Sequence, residues 1–388
     1  MGDNLELVIV DDEPRVTQSL EREIRLEFGI EAFLITSFNN PEEALSYIKT
    51  RKDNVFLVIS DLRMPQMNGS ELLVLIRRDC PDVQTVLLTA FTDIDNIQRA
   101  VSASIQGLLF KPWTRESITN EVEKARRLWT LKRENQILRR RVDDMLRDTG
   151  NFQKTLFAQS IPASTTVAFD ISFNPHEDFH CGGDFYEIFE IDGGRYLAIL
   201  GDVTGHGPKS AMIAGMVLSA LKTITDTDPA LRKAPDHLMK RLNDQFCALL
   251  SSTPETLVGL AAVYVDMPGR VLSLATAGLP PVAHIRNGTP ELLGTPNHML
   301  GAFPDTPFYK TERFLLPGDR IIMSTDGLVE SVPEFFHLST ELEVGILAQR
   351  ADYSAGSIVE DCRKLLPGAA FTDDVTVLSL EILPERPA

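Results

Sequence analysis

A doubly wound α/β domain, joined through a long helix to a separate α+β domain, is the fold class the sequence predicts, and three observations predict it. Over residues 5–125 short apolar runs alternate with amphipathic stretches. Residues 116–157 hold no proline and a single glycine, Gly150. From Ile161 onward the pattern changes to many short strand-like runs interspersed with helices. The 388 residues, 43% of them hydrophobic, are long for one domain and enough for two cores. The reading is a first domain over 1–125, a helical linker over 126–157 and a second domain over 158–388.

The first domain contains the runs LELVIV, AFLITSF, VFLVIS, VQTVLLTA and IQGLLF. Each is too short for a buried helix and rich in Val, Ile, Leu or Phe, as parallel strands covered on both faces should be. Helical patterns lie between them, for example from Pro41 to Thr50 and from Gly69 to Arg78. Five such units predict a five-stranded parallel sheet with helices on both faces. Functional groups then gather beyond the C-terminal strand ends, where the strand order reverses.

In the linker, Leu128, Leu131, Asn135, Leu138, Val142 and Met145 follow 3-4-3-4-3 spacing, continued by Thr149, Phe152 and Leu156. This is a heptad seam, with one Asn at a position that fixes register in parallel dimers. Flanking charges from Arg126 to Arg141 keep the outside wet. The expectation is a homodimeric coiled coil; a single helix packed on its own domains is the plainer alternative.

In the second domain FDISFNP, RYLAILGDV, LVGLAAVYVD, VLSLATAG, RIIMSTDG and DVTVLSLEIL read as strands. Lys209–Thr223, Ala234–Leu250 and Ser357–Leu366 read as helices. Met212, Met216 and Leu218, at helical spacing, are expected in the core.

The net charge of −17 disfavours nucleic acid or an anionic membrane as partner. Four scattered cysteines, Cys80, Cys181, Cys247 and Cys362, form no close pair, which fits a reducing compartment and disfavours a thiolate zinc site. The acidic start MGDNLELVIVDDE does not resemble a signal peptide, and no apolar run reaches about eighteen residues. A cytoplasmic location is expected.

Strand one of the first domain ends in Asp11-Asp12, strand three in Asp61, strand four in Thr89 and strand five in Lys111-Pro112. One strand-end acid is ordinarily a solvated loop residue. Four matched residue types at four strand ends of one sheet edge are a site. Three carboxylates there repel one another unless a cation joins them, and an oxygen-ligated Mg²⁺ answers that need. Asp61 is then placed as a nucleophile that forms an acyl phosphate, Thr89 to hydrogen-bond the phosphoryl oxygen, and Lys111 to supply fixed positive charge.

Through VDDEP, SDLRMPQMNG, LTA and FKPW the segment resembles the response-regulator receiver family, which is flavodoxin-like. The resemblance implies phosphorylation of Asp61 by a sensor histidine kinase, with Asp12 and Asp61 on Mg²⁺ directly and Asp11 through water. The family's aromatic switch position, three places before the lysine, is Leu108 here; Phe110 lies next to the lysine, on the opposite face of the strand.

The second domain has carboxylates in four glycine-bearing or paired contexts: Gly183-Asp184, Gly201-Asp202, Asp326-Gly327 and Asp373-Asp374. Alone, each is ordinary turn chemistry. Together, each beside a β-rich apolar segment and without His or Cys, they favour hard ions such as Mg²⁺ or Mn²⁺ over zinc. Two such ions can hold a bridging water for in-line attack on a phosphoryl group.

AQSIP, GGDFYE, GDVTGHGPKSAM, LPGDRIIMSTDGLVES and DDVTVL resemble the metal-dependent protein phosphatase 2C-like superfamily, in its SpoIIE-type serine phosphatase branch. The resemblance implies a β-sandwich flanked by helices. It implies Asp184, Asp202, Asp326, Asp373 and the Val203 carbonyl as ligands of two Mg²⁺ or Mn²⁺ ions, with Asp374 outside them. It also implies a phosphoserine or phosphothreonine protein as substrate, an anti-sigma-factor antagonist or similar partner-switching protein. His206, between two glycines, reads as a turn residue; Lys209 is the nearest basic residue. The chain departs from the branch at Glu187, where Asp is usual, and at Leu279, where AGHxP has His. A phosphorylation-controlled phosphatase is the expected function. A binding adaptor on a degenerate phosphatase fold is the alternative, disfavoured because all four aspartates are present.

Overall fold

The computed structural model describes residues 5–90, 105–157, 161–176, 178–249, 255–330, 347, 350, 352–366 and 371–384. The chain divides into two compact units, Met1–Arg141 and Val142–Ala388.

In the first unit, strands β1 (Glu6–Val10), β2 (Leu34–Phe38), β3 (Val55–Asp61), β4 (Gln84–Ala90) and β5 (Gly107–Lys111) form one parallel sheet in the order β2-β1-β3-β4-β5. Alternate residues of β1 serve opposite faces. Leu7 and Ile9 join Leu20 and Ile24 of helix α1 (Pro14–Phe28), while Val8 and Val10 join Ala44 and Ile48 of α2 (Pro41–Thr50) and Leu72 and Ile76 of α3 (Gly69–Asp79). Burial on both faces is why the strands read as continuous apolar runs. The Asn68 side chain and Glu71 start α3 with a reciprocal capping box. The part of the fourth strand–helix unit at 91–104 lies outside the described residues. Strand order reverses beside β1, which puts the ends of β1 and β3 at the switch point.

Helix α4 spans Arg115–Phe157, matching the proline-free stretch. Its first turns close the first unit's core with Ile118, Val122, Ala125 and Trp129. Lys132, Arg133 and Gln136 then bind Pro81 O, Asp53 O and Asp82 Oδ2. The heptad seam is left open: Leu128, Leu131, Leu138, Val142, Met145, Phe152 and Leu156 are all exposed large hydrophobic residues.

The second unit is a sandwich of two five-stranded antiparallel sheets. One has the order β13 (Thr311–Phe314), β10 (Val271–Ala277), β9 (Val258–Asp266), β8 (Arg195–Val203), β7 (Phe185–Asp192). The other runs β12 (Thr289–Leu293), β11 (Val282–Arg286), β14 (Arg320–Ser324), β15 (Val375–Ile382), β6 (Val167–Asn174). Tyr196, Ala198 and Leu200 of β8 face the inter-sheet core with Met323, Leu378 and Leu380. Leu197 and Ile199 face helices α5 (Pro208–Thr227) and α6 (Pro235–Leu249). A further helix, α8 (Ala355–Leu365), covers the second sheet through Ile358, Val359 and Cys362, beside the short helix α7 (Gly327–Glu330). The result is four layers, helix–sheet–sheet–helix.

Strand β6 pairs with β15 along its whole length, from Val167↔Ile382 to Asn174↔Val375. Strands β7, β11, β12 and β13 add to those read from the sequence. One expectation is corrected. Met212 and Met216 are exposed, at 70% and 45%, and only Leu218 of the three enters the core. Helix α5 packs through Ala211, Ala214, Val217 and Leu221 instead. Among the described residues no helix is long and apolar enough to cross a membrane.

Candidate functional site

The parallel sheet of the first unit delivers Asp11, Asp61 and Lys111 to one edge. Lys111 Nζ lies 2.9 Å from Asp11 Oδ2 and also contacts Asp61 Oδ1. Burial alone would lower the pKa of Lys111, but the two carboxylates outweigh it and hold the ammonium above its ordinary value. Burial raises the Asp11 carboxyl despite the lysine and the Glu13 amide. Asp61 Oδ2 accepts the Arg63 amide at 2.9 Å, which leaves Oδ1 turned to the lysine. Asp12 is exposed at the same strand end, and Thr89 is buried at the end of β4. The register sets Phe110 beside Thr89 and Leu108 beside Leu87. Leu108 packs among the apolar residues under α2 and α3, so an aliphatic side chain fills that position.

In the second unit the acids come from four strand ends. Asp184 precedes β7, Asp202 is near the end of β8, Asp326 follows β14, and Asp373 precedes β15. Asp184 is buried, and its Oδ2 accepts the hydroxyls of Thr325 at 2.9 Å and Thr376 at 2.6 Å. Its Oδ1 is buried with no hydrogen-bond partner among the described residues. Burial, then the charges of Asp202 and Asp374, push the Asp184 carboxyl well above the carboxylate range. Burial and then Asp326, Asp373 and Asp374 do the same to Asp202.

Asp374 is committed to the backbone. Its Oδ1 accepts the His176 amide and its Oδ2 the Gly183 amide, both at 2.7 Å. A side chain at Gly182 would run into this carboxylate, so only glycine fits there. The Val203 carbonyl lies against Gly183, and Asp373 Oδ1 accepts the Asp374 amide.

Among the described residues no group of three or more His, Cys, Asp or Glu side chains is drawn together closely enough to hold a metal ion as it stands. The donor set nonetheless fits a hard divalent cation. It offers oxygen only, one of its oxygens is buried with no hydrogen-bond partner among the described residues, and burial with neighbouring carboxylates disfavours ionisation of Asp184 and Asp202.

The neighbours read from the sequence fall as follows. His206 is exposed, its ring stacked on Phe179 at 4.5 Å, in a turn where Gly205 and Gly207 take positive φ. Lys209 forms an exposed pair with Glu255. Glu187 is buried and paired with Lys222 of α5 at 3.1 Å. Leu279 is buried between the sheets. Cys181 is a buried free thiol, its pKa raised by burial and then by Asp374. Ala158–Ser160 of the AQSIP motif and Ser331 lie outside the described residues. The two threonines holding Asp184 were not singled out in the sequence, although both sit inside quoted motifs, STDG and DDVTV.

Residues 7–123 match the model of the response regulator receiver domain, and residues 192–383 that of stage II sporulation protein E (SpoIIE). The chain joins a receiver domain to a SpoIIE-type phosphatase domain. It is similar to the phosphoserine phosphatase RsbP of Bacillus subtilis, 27% identical over 42% of this chain and 40% of that protein. The receiver resembles the transcriptional regulatory protein CitT of B. subtilis, 33% identical over 28% of this chain and 47% of that one. The chain thus spans less than half the length of either relative. The phosphatase domain has the fold of the SiaA-PP2C domain of Pseudomonas aeruginosa, with a TM-score of 0.55 and 20% identity over 63% of this chain and 98% of that one. The lysine-bridged Asp11 and Asp61 belong to the receiver, and the threonine-held Asp184 to the phosphatase domain.

Proposed function

We propose that this chain is a response regulator in which phosphorylation of Asp61 controls a Mg²⁺- or Mn²⁺-dependent protein serine/threonine phosphatase. The buried oxygen of Asp184, without a hydrogen-bond partner among the described residues and beside Asp202, which in turn faces Asp326, Asp373 and Asp374, carries the enzymatic half of this reading. Asp184, Asp202, Asp326, Asp373 and the Val203 carbonyl would hold two cations, whose chemistry is to lower the pKa of a bound water and to bind phosphoryl oxygens. Thr325 and Thr376 fix which oxygen of Asp184 points inward. Asp374 keeps the Gly183 peptide in place. In the receiver, Asp61 Oδ1 would attack a phosphoryl group presented by a sensor histidine kinase. Lys111 balances the charge, Thr89 takes a phosphoryl oxygen, and Asp11, Asp12 and Asp61 would hold the Mg²⁺.

The likeness to a protein named a phosphoserine phosphatase supports a phosphoserine substrate; an anti-sigma-factor antagonist or similar partner-switching protein as that substrate is our proposal from the sequence motifs. The open heptad seam of α4 supports a homodimer paired through the linker, and thereby a route by which receiver phosphorylation reaches the phosphatase domain. In the deciding assay a phosphoserine protein is incubated with the full chain and Mn²⁺, with and without a phosphoryl mimic on the receiver. Metal-dependent phosphate release that shifts with the mimic is the expected result; no release under any condition rejects the enzyme.

A further inference from the structure

Three consecutive residues at the mouth of the phosphatase cluster are each held by a different neighbour. Asp184 is held by Thr325 and Thr376, and Gly183 by Asp374. Gly182 is held by Gln153 of α4, whose Nε2 donates to the Gly182 carbonyl at 2.6 Å and whose Oε1 accepts the Gly182 amide at 3.1 Å. The side-chain amide therefore pairs with this backbone as a neighbouring strand would, and it does so buried, at 4% exposure. Gly182 has no partner of that kind in the sheets, because it lies ahead of β7.

The same helix face meets His180, two residues before Gly182. Gly150, three residues before Gln153, sits where a methyl group would strike the His180 carbonyl, and Asp143 lies 3.2 Å from the His180 ring. Positions 143, 150 and 153 share one helix face. A glycine in a helix interior is intrinsically unfavourable. Here close packing of that face on His180 and Gly182 requires it.

We propose that Gln153 is a positioning residue for the metal-holding side of Asp184, acting through the Gly182–Gly183 backbone. This rests on the phosphatase reading above. Without the glutamine amide, the backbone N–H and C=O of Gly182 both lose this buried partner. The peptide turns to recover partners, and Asp184, two residues on, loses its aim. Groups that orient metal ligands typically set affinity by roughly 10–100-fold when removed. A residue that only stabilised the fold would shift the melting temperature and leave the affinity of the folded protein alone.

The test uses the full chain carrying Asp12→Ala, which silences the receiver's own cation site, with Mn²⁺ as the probe and free Mn²⁺ read by electron paramagnetic resonance. Gln153→Met keeps the length and removes the amide. The expected result is a folded protein whose Mn²⁺ dissociation constant rises roughly 10–100-fold, with faster amide hydrogen exchange at Gly182 and Gly183. Gln153→Glu, which still accepts the Gly182 amide but opposes its carbonyl, is expected to fall between the two and keeps the test open should the methionine variant not fold. Unchanged Mn²⁺ affinity in either folded variant overturns the role of Gln153 alone. No Mn²⁺ binding by the Asp12→Ala parent overturns the metal reading and this inference with it.

Discussion

Thr376 Oγ1 donates to Asp184 Oδ2 across 2.6 Å, joining residues 192 apart in sequence. The contact is fully buried, so replacing Thr376 by valine keeps the volume and removes one of the two hydroxyls that orient the carboxylate. We expect Thr376→Val to cost about 1–3 kcal/mol in urea unfolding. Metal-dependent turnover should fall roughly 10–100-fold and recover in part at high Mn²⁺. Full activity at limiting Mn²⁺ would mean that the hydroxyl does not orient a ligand.

Asp202→Asn is expected to bring phosphoserine hydrolysis to background while leaving the thermal midpoint of the metal-free protein unchanged or higher. The reason is that the Asp202 charge is opposed by Asp326, Asp373 and Asp374. Activity equal to wild type in a folded Asp202→Asn protein would sink the two-metal reading.

Asp61→Ala should abolish any effect of a phosphoryl mimic while leaving basal phosphate release intact, since Asp61 belongs to the receiver. Rates of the variant and the wild type are compared under phosphorylating conditions. A variant that still responds would place control elsewhere.

Acid should weaken the sandwich through Asp319. Burial alone would raise this carboxyl, but two hydrogen bonds from Arg286, the Leu316 amide and the His284 ring hold it below the ordinary range. A depressed folded-state pKa gives stability that is complete above the unfolded value, about 3.9, and is lost as pH falls through the lower folded value. Asp319→Asn should therefore be less stable than wild type at neutral pH, by roughly 1–2 kcal/mol. The low figure reflects the partly exposed Arg286. Below about pH 4 the difference should begin to shrink, and it should close as pH passes the lower folded value. Parallel stability curves across that range would exclude Asp319 as the cause.

Leu138→Lys and Val142→Lys together place charge on the open seam of α4. Sedimentation should show the wild-type dimer becoming a monomer, with each unit's secondary structure retained. A wild type already monomeric at tens of micromolar would remove the dimer from the proposal.

Much of the receiver was legible because parallel strands buried on both faces announce themselves as apolar runs, and their ends must meet at one edge. The placement of Asp184, Asp202, Asp326 and Asp373 at four strand ends was legible from their motifs. What escaped has physical causes. Strands β7, β12 and β13 lie at sheet edges, half exposed, and lack an apolar run. Strand β11 carries His284 and Arg286, polar residues whose reason for being there is Asp319, 33 residues from Arg286 in sequence. Thr325 and Thr376 looked like ordinary residues beside turns because the group they serve, Asp184, is 141 and 192 residues away. The methionines of α5 misled because that helix is apolar on more than one face, and its alanines take the core.

The pairing of β6 with β15 sets a timetable for synthesis. β6 is an edge strand whose hydrogen-bonding neighbour is made some two hundred residues after it, as the Asn174–Val375 contact, 201 residues apart, shows. While the ribosome extends the chain, β6 waits with its backbone unpaired, and the second sheet cannot close around β14 until residues 375–382 emerge. Asp373, Asp374 and Thr376 arrive with that same strand. The acid cluster of the second domain therefore stays incomplete until nearly all of that domain has been translated, whatever state the receiver has already reached.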